Sequence, residues 1–268
     1  MKRLSNALPL INKLMSENDK ICFNIFYLIS NSESALWVTD EESYIIGQTN
    51  ERLPMWIWIK ENVTEGALKE IESVMEERLE LNANLNVIAD ETIIRPILNR
   101  MAERKKVSYN SMVPMVIYRC DKVVNTKKAN GRMILSNENH KDILKNFITG
   151  MVWDLEKRPM QEGEAEGFAN DVAGSSDLYL WEDGRQAVSM AMIAHRAEKF
   201  ARINTVYTDS SQRGKGYAGM LVGEVTQKIL DEGRIPMLYT EQDNICSNAT
   251  YRRIGYTLCG ELTQFKFA

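Results

Sequence analysis

In ARINTVYTDSSQRGKGYAGMLVGEVTQKILDE, residues 201–232, a β-prone run from Ala201 to Thr208 gives way to a polar, glycine-bearing turn and then to a helical pattern. The turn reads Arg213-Gly214-Lys215-Gly216-Tyr217-Ala218. The helix, from about Gly216 to Glu232, places Ala218, Leu221, Val222, Val225 and Ile229 on one buried face, and Gly233 closes it. The first turn of a helix carries backbone N–H groups without partners and the positive end of the macrodipole, so an anion seated there satisfies both. Glycines at 214 and 216 let the main chain approach a ligand in conformations that a Cβ would penalise. Residues 213–218 therefore predict a phosphate cradle.

Three ligand classes use such turns. A nucleoside-triphosphate loop requires Ser or Thr after its Gly-Lys pair, and here Gly216 follows Lys215. Gly214, Gly216 and Gly219 do match a dinucleotide fingerprint, with Glu241 lying 22 residues beyond Gly219 as a ribose-binding acid. Against that reading, Asp209 to Gln212 separate the strand from the first glycine, and only 27 residues follow Glu241, too few to finish a doubly wound sheet.

Outward from the turn, the pattern predicts a helix over Asn139–Lys157, a helix with a loop within Gln161–Asp171, and a hairpin of Leu178–Trp181 and Gln186–Ala194 around Glu182-Asp183-Gly184. A strand Pro236–Glu241, a short helix Ser247–Ile254 and two final strands within Tyr256–Phe267 follow. The first half has a similar order. Runs at Ala35–Asp40, Ser43–Gln48 and Pro54–Ile59 suggest an antiparallel meander, followed by a helix Glu65–Leu81, a strand Asn86–Ala89, a helix Glu91–Arg104 and a strand Met112–Tyr118. Polar, basic residues from Asp121 to Arg132, including Lys127 and Lys128, read as a linker. The expectation is an α/β chain with mixed sheets in two domains, 1–125 and 130–268.

A chain of 268 residues is long for one core. Its net charge of −4 argues against a nucleic-acid partner. No run approaches a membrane span, and after the basic start Met1-Lys2-Arg3 the residues Asn6, Pro9, Asn12 and Lys13 interrupt what would be the apolar region of a signal peptide. Cys22, Cys120, Cys246 and Cys259 lie far apart, and His140 and His195 are the only histidines, a set that disfavours a metal site and suits free thiols in the cytoplasm.

The pattern [RQ]-x-x-G-x-[GA], met here by Arg213, Gly216 and Ala218, resembles the pyrophosphate loop of the GNAT superfamily of N-acetyltransferases. A later N-x-x-S/A…Y-x-x-x-G-[FY] segment of that family resembles Asn244, Ser247, Asn248, Tyr251, Gly255 and Tyr256. The likeness covers Ala201–Tyr256 closely and the second half loosely, and Arg202–Ala218 is also similar to the glycine N-acyltransferase-like branch. It implies a GNAT-like acyltransferase fold after residue 130, preceded by a degenerate GNAT-like domain. It also implies acetyl-CoA as acyl donor, without a metal, and a primary amine of a small molecule, amino acid or peptide as acceptor.

By the same resemblance, Val206, Tyr207 and Thr208 line the donor, with the main chain of Val206 and Thr208 pairing to its pantetheine amides. Gly214, Lys215 and Tyr217 complete the phosphate turn, and Tyr251 supplies the proton for the departing thiolate. Packing of Tyr251 on the sheet is the plainer alternative, and Asn244, Ser247 and Asn248 serve equally as cofactor contacts or helix caps. Glu241 is the candidate general base, as against a solvated strand-end carboxylate. Cys246 has no histidine near it in sequence to activate it. In the first half the matching loop, Lys60-Glu61-Asn62-Val63-Thr64-Glu65-Gly66, holds two glutamates and one glycine, a poor cradle for an anion. A coenzyme A-binding regulatory module without turnover is the reading from another class.

Overall fold

The computed structural model describes residues 1–124 and 129–268, so Lys127 and Lys128 of the expected linker lie outside the described residues. In chain order the elements are β1 (Lys2–Arg3), α1 (Leu8–Leu14), α2 (Glu17–Cys22), α3 (Ile25–Ile29), β2 (Leu36–Thr39), β3 (Tyr44–Gln48), β4 (Met55–Ile59), α4 (Glu65–Leu81), β5 (Asn86–Ala89), α5 (Glu91–Lys105), β6 (Tyr109–Ser111) and β7 (Met115–Cys120). There follow β8 (Arg132–Leu135), α6 (Lys141–Glu156), α7 (Glu164–Val172), β9 (Leu178–Asp183), β10 (Gln186–Arg196), β11 (Phe200–Thr208), α8 (Tyr217–Asp231), β12 (Ile235–Glu241), α9 (Ile245–Ile254) and β13 (Tyr256–Phe267). By contacts the chain divides into two units, one of Met1–Ile117, Tyr239–Asn244 and Leu258–Ala268, the other of Tyr118–Leu238 and Ile245–Thr257.

In the first unit β1, β2, β3 and β4 pair antiparallel, β4 pairs parallel to β5 across helix α4, and β13 pairs antiparallel to β5 and β6. Strand β4, Met-Trp-Ile-Trp-Ile, is buried throughout because both of its faces are covered. Met55, Ile57 and Ile59 join the core that includes Ile71, Val74 and Met75 of α4 and Ile94, Ile97 and Leu98 of α5. Strand alternation sends Trp56 the other way, to Phe23 and Tyr239, ring centroids 6.4 and 6.3 Å apart. The helices covering that second face, α1 to α3, were absent from the sequence reading. They are only 5 to 7 residues long, too short for helical periodicity to emerge, although Ser16 and Asp19 form a capping box.

In the second unit β8, β9, β10 and β11 pair antiparallel, and β11 pairs parallel to β12 across α8. The order seen in the first unit, an antiparallel meander ending in a parallel crossover through one helix, thus recurs. Leu144 and Phe147 of α6 pack with Leu178, Leu180, Met190 and Tyr207 of the sheet.

Two sequence expectations need correction. Tyr256–Phe267 is one 12-residue strand rather than two, since Gly260 continues the strand instead of breaking it. The β9–β10 turn is centred on Gly184 and Arg185, with φ of +56° and +73°, one residue later than the Asp-Gly signal suggested. Asp183 pairs with Gln186 in the ladder, which fixes a primed two-residue turn between them. Among the described residues, no helix is long and apolar enough to cross a membrane.

Candidate active site

Strand β11 delivers the chain to the glycine turn, and it does so with an irregularity. Its ladder to β10 runs Met190↔Tyr207 and then Met192↔Asn204, so β11 carries one extra residue there. Thr205 absorbs it at φ +53°, a left-handed conformation that costs a β-branched residue on the order of 1–2 kcal/mol. Val206 lies inside this bulge. The parallel ladder to β12 ends at Arg202↔Met237, so beyond it that edge of β11 has no ladder partner among the described residues. An edge left unpaired next to a glycine turn that opens a helix is where an extended ligand bearing amide groups can pair as an added strand.

The cradle follows. Asp209 caps a short 3-10 turn, Ser210–Gln212, by accepting from Ser211 N–H at 2.9 Å. Gly214 and Gly216 then take φ of +80° and +90°. Gly216 is the N-cap of α8, so no side chain caps that end, and no acidic residue lies in its first turn. The main-chain N–H groups of Tyr217, Ala218 and Gly219 open the helix toward any anion placed there. Helix α4 of the other unit ends differently. Its N-cap Thr64 accepts from Ala67 N–H at 3.2 Å and Glu65 fills its first turn, so the equivalent end is already satisfied.

The side chains of the turn are pinned. Arg213 extends its guanidinium to the Asp154 carboxylate in the last turn of α6, donates Nε–H to the Thr208 carbonyl at 3.1 Å, and lies 5.3 Å over the Tyr207 ring. Tyr207 packs 5.7 Å from Phe147 and so tightly on α6 that a Cβ on Gly150 would come within 2.1 Å of its hydroxyl. Burial raises the Tyr207 phenol pKa. Tyr217 is buried and donates its hydroxyl to Asp183, a bond that pushes its pKa up. Lys215 is exposed and donates to Gln212 Oε1 at 2.6 Å.

Helix α9 packs beside α8, where Gly219 faces Thr250 with a Cβ clearance of 3.6 Å. Tyr251 on α9 is 7% exposed, between the rings of Tyr118 and Tyr256 at 6.4 and 5.9 Å. Burial raises its pKa to about 12, and a hydrogen bond with Ser247, one helical turn away, offsets part of that rise. Asn248 is buried and accepts from the Tyr118 hydroxyl at 2.9 Å. Tyr256 Oη and Thr226 Oγ1 share a hydrogen bond of 2.7 Å. The second unit therefore contains Val206 to Ala218 with Ser247, Asn248 and Tyr251, whereas Glu241 and Asn244 belong to the first. Sequence reading missed Asp154, Asp183 and Tyr118. Each lies at least 34 residues from its partner, beyond the reach of local spacing.

His195 has another character. Its ring nitrogens are sealed from solvent with no hydrogen-bond partner among the described residues, and burial, then the charge of Arg202 opposite it in the ladder, lowers its pKa to about 4. An unfolded histidine titrates near 6.5. Because the folded value is depressed, the unfolded chain binds the extra proton as pH falls, so this stability is present above pH ~6.5 and is lost on the way to pH ~4. Allowing for partial exposure, the loss is about 2 kcal/mol. His195→Phe should flatten the fall in Tm between pH 7 and 4.5 by several degrees; the same pH slope in both proteins would refute the assignment.

Known proteins share this architecture. A family model described as FR47-like protein matches residues 184–264, which include β10, β11, the cradle, α8 and α9. A search of curated proteins found no significant match. Over 94% of this chain and 96% of the other, the structure is similar to a GCN5-related N-acetyltransferase from Kribbella flavida, with 14% identity and a TM-score of 0.63. A GNAT-family acetyltransferase from Colwellia psychrerythraea matches 100% of this chain and 99% of its own, at 12% identity and a TM-score of 0.59. A GCN5-related N-acetyltransferase from Sphaerobacter thermophilus covers 88% of this chain and 80% of its own, at 13% identity and a TM-score of 0.60. At such identities the likeness speaks to architecture, and the chain has the fold of the GNAT-family N-acetyltransferases, with an FR47-like segment over its cradle.

Proposed function

We propose that this protein is a coenzyme A thioester-dependent N-acyltransferase that uses acetyl-CoA and transfers its acyl group directly to a primary amine of a small molecule, amino acid or peptide. The observation that carries the reading is the uncapped, glycine-opened start of α8, one short turn after a strand that bulges at Thr205 and whose edge toward β12 has no ladder partner beyond Arg202 among the described residues. The residues fit a diphosphate-bearing ligand: two positive-φ glycines, open main-chain N–H groups and no carboxylate in the first turn. Main-chain groups of residues 213–218 would hold the phosphates, and those of Val206 and Thr208 the amide-bearing arm. The thioester, when bound, supplies the activated acyl group.

Tyr251 holds its proton on Oη throughout the physiological range, because its pKa stands near 12. It lies ~3.5 units above a thiol's reference value of ~8.5, so the phenol keeps its proton at equilibrium and stabilises a leaving sulfur chiefly by donating a hydrogen bond, full transfer being uphill. Ser247 accompanies that hydroxyl. Glu241, exposed at its strand end, is the carboxylate proposed to accept the amine proton through water. The enclosure of Tyr251 by Tyr118 and Tyr256 favours one second reading, a coenzyme A-binding module without turnover. A thiol-reactive dye separates the two. With acetyl-CoA and a panel of amines, free thiol should appear only when an acceptor is present; tight binding without release in any mixture would select the module.

A further inference from the structure

We infer that Asp154 is a positioning residue for the Arg213–Ala218 turn, holding it ready for an anion before any ligand arrives; the inference rests on the reading of that turn as a coenzyme site. The turn is short, open and built on two left-handed glycines, so by itself it has many conformations to lose on binding. Its far end is fixed by the Tyr217–Asp183 hydrogen bond. Its near end is fixed at Arg213, whose guanidinium has three attachments: the Thr208 carbonyl, the Tyr207 ring face and the Asp154 carboxylate. The first two belong to the strand that leads into the turn. Among the described residues, Asp154 is the one of the three that ties Arg213 to a different element. Asp154 stands one helical turn after Gly150, on the stretch of α6 against which Tyr207 is wedged, so Arg213 is bolted to a part of the unit that is itself tightly packed.

Two alternative roles for this pair fit poorly. Arg213 and Asp154 side chains are 47% and 39% exposed, and an ion pair so open to water adds little to stability. A carboxylate this close to an anion cradle also weakens anion binding through its charge. A benefit to binding must then come from geometry, which gives the test a decisive sign. Removing a negative charge beside a polyanion site should tighten binding if charge dominates and weaken it if positioning dominates.

The experiment uses the full chain with Asp154→Asn and Asp154→Glu, titrated with coenzyme A at fixed ionic strength. Asp154→Asn should raise Kd by up to about fivefold, the limit an exposed ion pair sets, and Asp154→Glu should bring it back to within about twofold of the parent. Hydrogen exchange on the free protein gives a reading independent of any ligand. The amides of Gln212 and Met220, bonded to the Asp209 and Gly216 carbonyls at the two ends of the turn, should exchange about threefold to fivefold faster in Asp154→Asn. An unchanged exchange rate, or a Kd equal to or tighter than the parent's, overturns the positioning role. Should the parent protein itself fail to bind coenzyme A, the coenzyme reading of the turn falls, while the exchange comparison still decides whether Asp154 positions it.

Discussion

Gly216→Glu should weaken coenzyme A binding by more than about 100-fold, roughly 3 kcal/mol, while leaving the protein folded. Three effects add. At φ +90° any residue with a Cβ is strained by about 1–2 kcal/mol, which biases the turn away from its anion-receiving shape. A side chain at the N-cap can fold back and accept from the same N–H groups the phosphates need. A carboxylate there also repels the diphosphate directly. Gly216→Ala separates these terms, because it keeps only the strain and should cost about tenfold or less. Calorimetric titration of both variants measures the ladder of effects, and a parent-like Kd for the glutamate variant would mean that no anion sits on this helix.

The second large effect is expected at Tyr251. Tyr251→Phe keeps the ring between Tyr118 and Tyr256 and removes one hydroxyl, so the fold should lose only about 1 kcal/mol. Removal of one oriented donor to developing charge costs about 100-fold or more in rate. Steady-state kinetics with a responsive amine should therefore show kcat falling about 100-fold with the KM for acetyl-CoA within about twofold, the signature of an interaction made chiefly in the transition state. If kcat stays at the parent value, the phenol is packing material and another group meets the sulfur.

Periodicity marked those elements long enough to display it. Helix α4 has the predicted bounds, Glu65–Leu81, because Thr64 caps its start and its apolar residues repeat at three- and four-residue spacing. Strand β5 was equally plain. The three short helices ahead of β2 were not, since their job is to cover Trp37 and Trp56 and that need appears only when the sheet is assembled. The turn before α8 was legible because glycines at 214 and 216 advertise positive φ. The bulge beside it was not, because threonine at 205 does not. The ties that fix the cradle, Arg213 to Asp154 and Tyr217 to Asp183, bridge 59 and 34 residues, and no local spacing rule reaches so far.

The pairing of β13 with β5 has a consequence for biosynthesis. Asn86 to Ala89 find their ladder partners only at Thr263 to Lys266. During translation, β5 therefore waits with one edge bare until residues 263–266, about 175 positions further on, have been made. Such late, distant closure slows folding and leaves an apolar strand open to wrong partners meanwhile. A fragment stopping near residue 120 would inherit that bare edge permanently and should aggregate when expressed alone, whereas supplying the 258–268 segment through a circular permutation would give β5 its neighbour from the start.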